Sequence, residues 1–449
     1  MTTDSRDRVH ARITRAVRRF PNLDLGGVTT DGLDPRDAAF ARTLDQTVIR
    51  RWLTLEAVAM SRIDRPWETL DDTVCAALLI GAAQILLLDQ VPNHAAINET
   101  VNRVRAKTHA GAAGFTNAVL RRISELPTGE LSADDPAARD FHSRRDLLPL
   151  SDGRAIVLGE DVFDEDPVIR LAEQTSHGED LVVHWISAHG LPQTRELCQH
   201  DLILPSILLT AENPATLEGH PVDAHQRSGF FHWRGVPGEL GSFLKSNPTV
   251  RIQDPASAEA VASTAGLQPK LIIDYCAGRG TKTRQLAETH PEARIIAADI
   301  DPRRSNDLAR AFADHPRIEV VEHGDFRDAI GKTDLLVLDV PCTNTGVLPR
   351  RPEAKYRFST ESLESLARMQ RKIFRETEPL LAPDGAVLFS TCSLEPRENL
   401  KQVEALARKF EMSVRSQSQR FPTGMPGDPP TSIHDGSFLA VLERQAEKA

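Results

Sequence analysis

The sequence has few cysteines, no long apolar run and no overall excess of positive charge. Its five cysteines are scattered and odd in number, without the paired spacing of a metal site. This argues against a disulfide framework or a zinc site and indicates a reducing, cytoplasmic environment. No apolar run approaches the roughly 20 residues that cross a bilayer, and the polar residues 1–8 do not look like a secretory signal. The composition therefore predicts a non-membrane protein without a bound metal, with a length of 449 residues that allows two or three domains.

The net charge of −10 is unusual for a nucleic-acid-binding protein, but it is unevenly distributed. Residues 124–176 contain 13 acidic and 5 basic side chains, whereas residues 1–123 contain 17 basic and 14 acidic ones. Residues 345–375 contain 8 basic and 3 acidic side chains. We therefore interpret residues 124–167 as an acidic linker that is at most partly ordered. Basic surfaces elsewhere remain available for phosphate contacts, with a solvated charged face as the alternative.

Apolar residues at helical spacing predict that residues 1–123 are all-helical. Val9, Ile13 and Val17 form the first such stripe, and a helix from Asp72 to Leu88 is apolar nearly all round and should be central. The phrases at 96–101 (AINETV) and 114–121 (GFTNAVLR) resemble the NusB fold, a small helical RNA-binding module. A generic helical bundle is the alternative. After the linker, residues 168–252 mix short helices and strands and predict a small α+β subdomain.

The most informative feature is a pair of cysteines, each placed just after a hydrophobic run. Leu335–Leu338 precedes Cys342, and Ala386–Phe389 precedes Cys392. Groups at the carboxyl ends of neighbouring strands converge on the ligand crevice of an open α/β sheet. Two thiols at that edge suit methylation of carbon 5 of a pyrimidine, in which a thiolate first adds to carbon 6 and makes carbon 5 nucleophilic. A buried cysteine that acts as a small hydrophobe is the alternative.

A strand, a glycine-containing turn and a helix predict the cofactor half of this domain. The strand Leu271–Asp274 enters the turn at 275–283, and a second strand ends at Asp299. A close glycine would accommodate the amino-acid end of S-adenosylmethionine, and an acidic side chain after the second strand can hold ribose hydroxyls. Asp325, after a third strand, would lie near the adenine edge. The turn alone is also compatible with nucleotide-binding and dehydrogenase folds.

Five segments together resemble the RsmB-like rRNA (cytosine-5) methyltransferases of the Nop/Sun family. These are QDPAS at 253–257, the loop at 274–283, DVPCTNTGVL at 339–348 with RRPE at 350–353, STCSLEPREN at 390–399 and HDGSFLA at 434–440. The resemblance implies an all-α NusB-like N-terminal domain (1–123), an RNA-contacting α+β middle subdomain (168–252) and a C-terminal α/β Rossmann-like methyltransferase domain (253–449). It implies S-adenosylmethionine as cofactor and RNA, most naturally rRNA, as partner of a monomer.

The same resemblance implies roles for individual residues. Cys392 would add to carbon 6, Cys342 would help to remove the carbon 5 proton and release the enzyme, Asp339 would hydrogen-bond the cytosine edge, and Lys282 would lie near the reacting base. The residues expected at the cofactor are Asp274, Cys276, Ala277, Gly278, Gly280, Lys282, Asp299, Asp325 and Asp339. Arg350, Arg351, Lys355 and Arg357 are candidates for phosphate contacts, with a solvated face as the alternative. The target base should be single-stranded or flipped out.

Two departures from the family pattern keep another function class open. The cofactor loop reads GRGT at 278–281 where the family usually has Ala-Pro-Gly-Gly, and residues 205–213 lack an Arg-Val-Asn phrase. A catalytically impaired ribosome-assembly or transcription factor with the same folds is therefore the competing hypothesis. A protein or small-molecule methyltransferase would not need the paired thiols or the NusB-like module, and a nicotinamide dehydrogenase would need the full glycine fingerprint.

Overall fold

The computed structural model describes residues 5–24, 26–211 and 213–444, so the ends of the first and last predicted domains lie outside the described residues. The chain divides into two compact units. The first contains Met1–Leu204, Leu348–Ser359 and Met425–Asp428, and the second contains Pro205–Val347, Thr360–Gly424 and Pro429–Ala449. Residues 348–359 thus belong to the first unit, although their neighbours in the chain on both sides belong to the second.

The first unit begins with a set of packed helices, as the apolar stripes predict. They are α1 (Ser5–Val17), α2 (Pro35–Arg50), α3 (Trp52–Met60), α4 (Asp72–Leu87), α5 (Asn93–Lys107) and α6 (Ala110–Ser124). Asp34 and Asp71 accept hydrogen bonds from backbone N–H groups in the first turns of α2 and α4, which is how such caps begin helices. Helix α4 is buried nearly all round, and the prediction of a helical N-terminal region is confirmed.

Residues 124–167 are folded, so the prediction of a partly ordered linker is wrong. They form β1 (Pro127–Leu131), α7 (Pro136–Arg139), β2 (Leu147–Pro149) and β3 (Ala155–Leu158), with an antiparallel sheet in the order β1-β3-β2. Leu148 and Phe163 are buried in the same apolar core as the helices. Arg154 contacts Asp152 at 2.7 Å and Glu130 at 2.6 Å. A net charge summed over the segment does not reveal such local pairing, nor the apolar residues that anchor it.

Residues 168–252 do not form one subdomain, because the boundary between the two units crosses them. Helices α8 (Pro167–Thr175), α9 (Glu179–His189) and α10 (Leu191–His200) lie in the first unit. The second unit begins with β4 (Leu208–Ala211), β5 (Val222–Ala224), β6 (Phe230–Trp233), α11 (Pro237–Ser246) and β7 (Val250–Ile252). The four strands pair antiparallel in the order β5-β6-β4-β7. The predicted mixture of helices and strands is present, but the helices and the sheet belong to different units.

A seven-stranded sheet forms the centre of the second unit. Its elements are α12 (Pro255–Ala262), β8 (Leu271–Asp274), α13 (Thr281–Thr289), β9 (Arg294–Ala297), α14 (Pro302–Phe312), β10 (Ile318–Val320), β11 (Thr333–Asp339), α16 (Thr360–Thr377), β12 (Leu381–Thr391), α17 (Leu400–Lys409), β13 (Met412–Arg420) and β14 (Ser437–Arg444); α15 (Ala354–Arg357) lies in the first unit. The strand order is β10-β9-β8-β11-β12-β14-β13. Strands β8, β9, β10, β11 and β12 run parallel to one another, whereas β14 is antiparallel to both β12 and β13.

The strand order creates a topological switch point between β8 and β11. From β8 the chain builds outward through β9 and β10 and then returns to place β11 on the other side of β8. Alternate residues of the central strands enter different cores: Leu336 and Leu338 pack on one face of the sheet, and Leu335 and Val337 on the other. Ligands of such folds bind outside the carboxyl ends of the strands at this point.

Candidate active site

Two cysteine sulfurs meet at the carboxyl edge of the central strands. Strands β11 and β12 are adjacent and parallel, with Asp339 opposite Ser390. Cys342 and Cys392 follow the ends of these strands, and their Sγ atoms lie 3.3 Å apart. Both cysteines are free, and this separation is a hydrogen-bond contact rather than a covalent S–S bond of about 2.05 Å. The structure therefore brings together the two thiols that the sequence places after neighbouring strands.

The two thiols differ in their surroundings. Cys342 is buried, whereas Cys392 is partly exposed. The hydrogen bond to Cys392, burial and the nearby carboxyl of Glu398 together raise the pKa of the Cys342 thiol well above its usual range. The Cys392 thiol also lies 3.2 Å from the Asn344 Oδ1 atom, to which it can donate. Asn344 has a φ of 63°, a left-handed conformation that asparagine tolerates better than most residues. Cys392 is thus the more accessible of the two sulfurs.

Gly346 holds the loops of the two thiols together through its backbone. Its N–H donates to the Cys392 carbonyl at 2.9 Å, and its own carbonyl accepts from the Gly436 N–H at 2.7 Å. A Cβ atom at position 346 would lie 2.8 Å from the Gly436 oxygen and 2.9 Å from the Cys392 oxygen. Only glycine allows three chain segments to approach this closely. In the sequence, Gly346 stands within the motif at 339–348, but the motif alone does not indicate this contact.

Lys282 and Asp339 form an ion pair beside the thiols. The Lys282 Nζ atom lies 2.8 Å from Asp339 Oδ2 and 3.2 Å from the Ser257 hydroxyl. The Ser390 hydroxyl donates to the other Asp339 oxygen at 2.7 Å. Burial disfavours the charge of Lys282, but the Asp339 carboxylate outweighs this effect and keeps the pKa of Lys282 above its usual value. Two predicted site residues on different elements are therefore in direct contact, with a cationic group near Cys392.

Asp274 ends β8 at the switch point and has an unused oxygen. Its side chain is fully buried, and its Oδ2 atom accepts a hydrogen bond from the Thr283 hydroxyl at 2.7 Å. Among the described residues, nothing donates a hydrogen bond to its Oδ1 atom. Burial raises the pKa of the Asp274 carboxyl to about 7. A buried, unpaired carboxyl oxygen is costly and marks a place where a cationic donor of a ligand would be accepted.

The glycine turn after β8 is tied to the end of β9. The Gly278 N–H donates to Asp299 Oδ2 at 2.9 Å, and the other Asp299 oxygen accepts from the Asp301 N–H. Gly278 and Gly280 both have left-handed backbones, with φ values of 59° and 86°. A Cβ atom at Gly280 would collide with the Phe312 ring at 2.4 Å, whereas one at Gly278 would meet nothing within 4 Å. Glycine is therefore required at position 280 by the close packing against Phe312, whereas Gly278 borders open space.

The remaining predicted cofactor residues differ in exposure. Cys276 is half-buried, and burial raises the pKa of its thiol; the neighbouring Ala277 is buried. Asp325 lies beyond the end of the edge strand β10, is exposed and faces Arg327 at 3.5 Å. Ile300, which is not among the predicted cofactor residues, is 71% exposed directly after the buried Asp299. An apolar residue that follows a strand-ending acid is the signal that could have identified it.

The basic segment after the first thiol lies in the first unit, and one of its predicted phosphate contacts is wrong. Lys355 is 2% exposed, and its Nζ atom donates to the carbonyls of Arg50 and Thr175 at 3.0 and 3.3 Å. Burial lowers the pKa of Lys355 to about 7. Its side chain is therefore committed to internal hydrogen bonds and not to RNA. Local charge counts cannot distinguish a buried lysine from an exposed one.

The other three predicted phosphate contacts are partly exposed. They are Arg350, Arg351 and Arg357. Arg351 and Arg357 both face Glu353, at 3.7 and 3.9 Å. Over residues 5–24, 26–211 and 213–444, no helix is long and apolar enough to span a bilayer, and no three His, Cys, Asp or Glu side chains cluster as metal ligands would.

Two family models match this chain. Residues 265–441 match the family described as 16S rRNA methyltransferase RsmB/F, and residues 14–125 match the NusB family. The first match spans the glycine turn and both thiols, and the second spans most of the N-terminal helices.

Individual proteins resemble the chain over nearly its full length. The chain is 26% identical to ribosomal RNA small subunit methyltransferase B of Vibrio cholerae over 456 residues, covering 97% of this chain and 98% of that protein. It is 27% identical to the protein of the same name from Xanthomonas campestris, covering 96% and 95%. The crystal structure of PH0851 has the same fold, with a TM-score of 0.69 and 17% identity over 97% of this chain and 98% of the other.

The site fits the cofactor of this family, S-adenosylmethionine. The unpaired Asp274 oxygen suits a ligand ammonium, Gly278 leaves room beside the turn, and an acid followed by an exposed apolar side chain stands at the end of β9. The chain therefore combines a NusB-family domain with a methyltransferase domain that matches the RsmB/F family, and over nearly its full length it is similar to small-subunit rRNA methyltransferases B.

Proposed function

We propose that this protein forms 5-methylcytosine in RNA, with small-subunit rRNA as substrate, through a covalent adduct with Cys392. The observation that carries the proposal is the 3.3 Å contact between the Cys342 and Cys392 sulfurs at the carboxyl edge of β11 and β12. An enzyme that methylates an exocyclic amine or a hydroxyl does not need a nucleophile that adds to the base. The names of the full-length relatives favour small-subunit rRNA.

In this mechanism the more exposed sulfur attacks the base. The Cys392 thiolate forms a bond to carbon 6, and the electron pair of the 5,6 double bond moves toward carbon 5 and the ring. Bound S-adenosylmethionine would supply the methyl group to carbon 5: a carbon–carbon bond would form, the sulfonium S–CH3 bond would break, and S-adenosylhomocysteine would leave. Loss of the carbon 5 proton to a base or water then restores the double bond and expels the Cys392 thiolate. Lys282, which is charged and lies near Cys392, stabilises the thiolate before addition and after release.

Cys342 and Asp339 support the steps before and after methyl transfer. Cys342, whose thiol keeps its proton, can hydrogen-bond the water that takes the carbon 5 proton, and it can donate to the departing Cys392 sulfur at 3.3 Å. The Asp339 carboxylate, held by Lys282 and Ser390, can accept a hydrogen bond from a protonated ring nitrogen in the adduct. Both groups are fixed by protein contacts, so the site is ordered before substrate binds.

The cofactor contacts follow from the groups at the switch point. Asp274 would accept the amino group of the amino-acid end, the turn at 276–280 would lie along it, and Asp299 would bind the ribose. Ile300 would cover one face of the adenine, while Asp325 would lie at its edge. Arg350, Arg351 and Arg357 would contact phosphates, and the NusB-family domain would contribute RNA affinity.

The proposal is tested by incubating the full-length protein with methyl-labelled S-adenosylmethionine and unmodified small-subunit rRNA, and digesting the RNA to nucleosides. Label in 5-methylcytidine is the expected result. Label in another nucleoside would refute the proposed chemistry. Cofactor binding without any label, on both naked rRNA and small-subunit particles, would refute the substrate assignment and favour a binding role.

Cofactor affinity should depend on pH through Asp274. Its carboxyl has a pKa of about 7, raised by burial, whereas a ligand ammonium binds the ionised form. Below pH 7 a proton must leave before binding, so we expect the dissociation constant of S-adenosylmethionine to rise about tenfold for each pH unit below 7. Calorimetric titrations between about pH 5.5 and about pH 7.5 would measure this slope.

The control for that prediction is Asp274→Asn, which keeps the shape of the side chain but cannot ionise. This variant should bind the cofactor more weakly at pH 7.5 and show almost no dependence on pH. A wild-type affinity that stays constant across the range would contradict the assignment of Asp274 to the cofactor ammonium.

A further inference from the structure

Glu398 is a buried carboxyl group that the proposed mechanism does not use. It is fully buried, and it follows Cys392 in the chain. Both of its oxygens lie 3.1 Å from the Thr343 N–H, and one accepts from the Thr343 hydroxyl at 2.6 Å. Thr343 is the residue directly after Cys342, so a side chain from the loop of one thiol holds the loop of the other.

Gln370, on α16, extends this contact to the other side of Cys342. Its Nε2 group donates to the Pro341 carbonyl at 2.9 Å and to Glu398 at 3.2 Å. Its own oxygen accepts from Gln402 of α17 at 3.0 Å. The residues before and after Cys342 are thereby fixed by one hydrogen-bonded pair, Glu398 and Gln370.

The groups around Glu398 are donors, which favours its ionised form. Backbone N–H, hydroxyl and amide N–H groups of Thr343 and Gln370 all point to its oxygens, and an ionised carboxylate can only accept. Burial, with a smaller contribution from Glu395, opposes the charge and raises the pKa of Glu398 to about 7. The charge is therefore present above pH 7 and lost below it.

The two thiols lie beside different groups. Glu398 is hydrogen-bonded to the residue after Cys342, and its carboxylate opposes the Cys342 thiolate, whereas the ion pair of Lys282 and Asp339 lies on the side of Cys392. The sulfurs are close enough for a proton on one to hydrogen-bond the other. A negative charge beside Cys342 disfavours its thiolate, so a single proton shared by the two sulfurs is held on Cys342.

We infer that Glu398 is a positioning residue that decides which of the two thiols becomes the nucleophile. It fixes the Cys342 loop, and its charge keeps the shared proton on Cys342 and so leaves Cys392 free to add to the base. This inference rests on the proposed function for its role in the reaction. The asymmetry of the thiols that it describes is a property of the free protein and is measured without RNA.

The test follows alkylation of each cysteine by iodoacetamide in the full-length protein across pH, with peptide mass spectrometry as the readout. Burial alone makes Cys342 slower than Cys392 at every pH, so the informative quantity is how the ratio of the two rates changes with pH. In the wild type, the preference for Cys392 should increase as Glu398 ionises through pH 7. In Glu398→Gln, this increase should vanish, and the preference above pH 7 should fall about tenfold, which corresponds to one pKa unit.

Two further variants separate charge from structure. Gln370→Ala removes a donor to Pro341 and to Glu398 but leaves the carboxyl group. It should therefore reduce methyl transfer, while the ratio of the two alkylation rates still changes near pH 7. Glu398→Asp retains the charge, so the ratio of the two alkylation rates should again change near pH 7. This variant tests the inference even if Glu398→Gln does not fold.

The inference would be overturned if the ratio of the two alkylation rates depended on pH in the same way in wild type and Glu398→Gln. It would also be overturned if this ratio did not change with pH in Gln370→Ala or Glu398→Asp. Failure of the proposed function is distinguishable from these outcomes. In that case the alkylation rates of the two cysteines would depend on pH as predicted, while the methylated nucleoside would not be 5-methylcytidine.

Discussion

Cys392→Ala is expected to abolish methyl transfer to RNA while the variant still binds S-adenosylmethionine. Without the sulfur, carbon 5 of cytosine stays a poor nucleophile, and no neighbouring group replaces the lost bond to carbon 6. We expect a fall on the order of 10⁴-fold or more, as is usual when an enzyme loses its nucleophile. Cys392 is partly exposed, so its truncation should leave the thermal unfolding midpoint nearly unchanged. Single-turnover assays with labelled cofactor would measure the loss.

Cys342→Ala gives the contrasting result that tests the assignment of the two sulfurs. It leaves the nucleophile in place but removes the group proposed to assist release, so turnover should fall on the order of 10²-fold. The covalent protein–RNA adduct should accumulate as a slowly migrating band in a denaturing gel. Cys75→Ala, far along the chain in the helical region, should turn over like the wild type. An adduct that forms with Cys392→Ala but not with Cys342→Ala would reverse the proposed roles.

Gly346→Ala is expected to disable the enzyme by separating the loops of its two thiols. The added Cβ atom would lie within 2.9 Å of two carbonyl oxygens, those of Cys392 and Gly436. Both are backbone atoms, so the strain can be relieved only if the loops move. We expect a loss of about 3 kcal/mol in the free energy of unfolding, as for overpacked interiors. A displacement near 1 Å at the sulfurs should also reduce methyl transfer on the order of 10²-fold.

Denaturant unfolding and single-turnover rates would measure the two effects of Gly346→Ala. Gly241→Ala is the matched control, because Gly241 lies in α11 and an added Cβ atom there meets nothing within 4 Å. That variant should be stabilised by roughly 0.5–1 kcal/mol through helix propensity and should keep full activity. Wild-type activity in Gly346→Ala would show that the contact of the loops is not required.

Local patterns in the sequence predict much of the secondary structure and the two thiols. The apolar residues of 1–123 recur at a spacing that places them on one face of a helix, and helices form there. The hydrophobic runs that end in Asp274 and Asp339 form parallel strands. Convergence of Cys342 and Cys392 follows from a general property of α/β sheets. Ile300 escaped notice because its exposure depends on the turn that follows Asp299.

Predictions that relied on summed charge failed because charge counts contain no geometry. Residues 124–167 have an acidic composition, yet arginines pair with the carboxylates, and buried leucines attach the segment to the helical core. Lys355 looks like its neighbour Arg357 in the sequence, but it is enclosed and bonded to two carbonyls. Whether a charged side chain meets solvent or the interior depends on residues that are distant in the chain.

The sequence by itself leads to the proposed reaction class, because the two cysteines follow the ends of two recognisable strands. It does not specify the 3.3 Å contact of the two sulfurs or the unpaired oxygen of Asp274. Neither does it specify the carboxyl group of Glu398 against the loop of Cys342. These features arise because strands and loops about 50 residues apart in sequence are packed side by side, where short distances and burial change the proton affinities of their side chains.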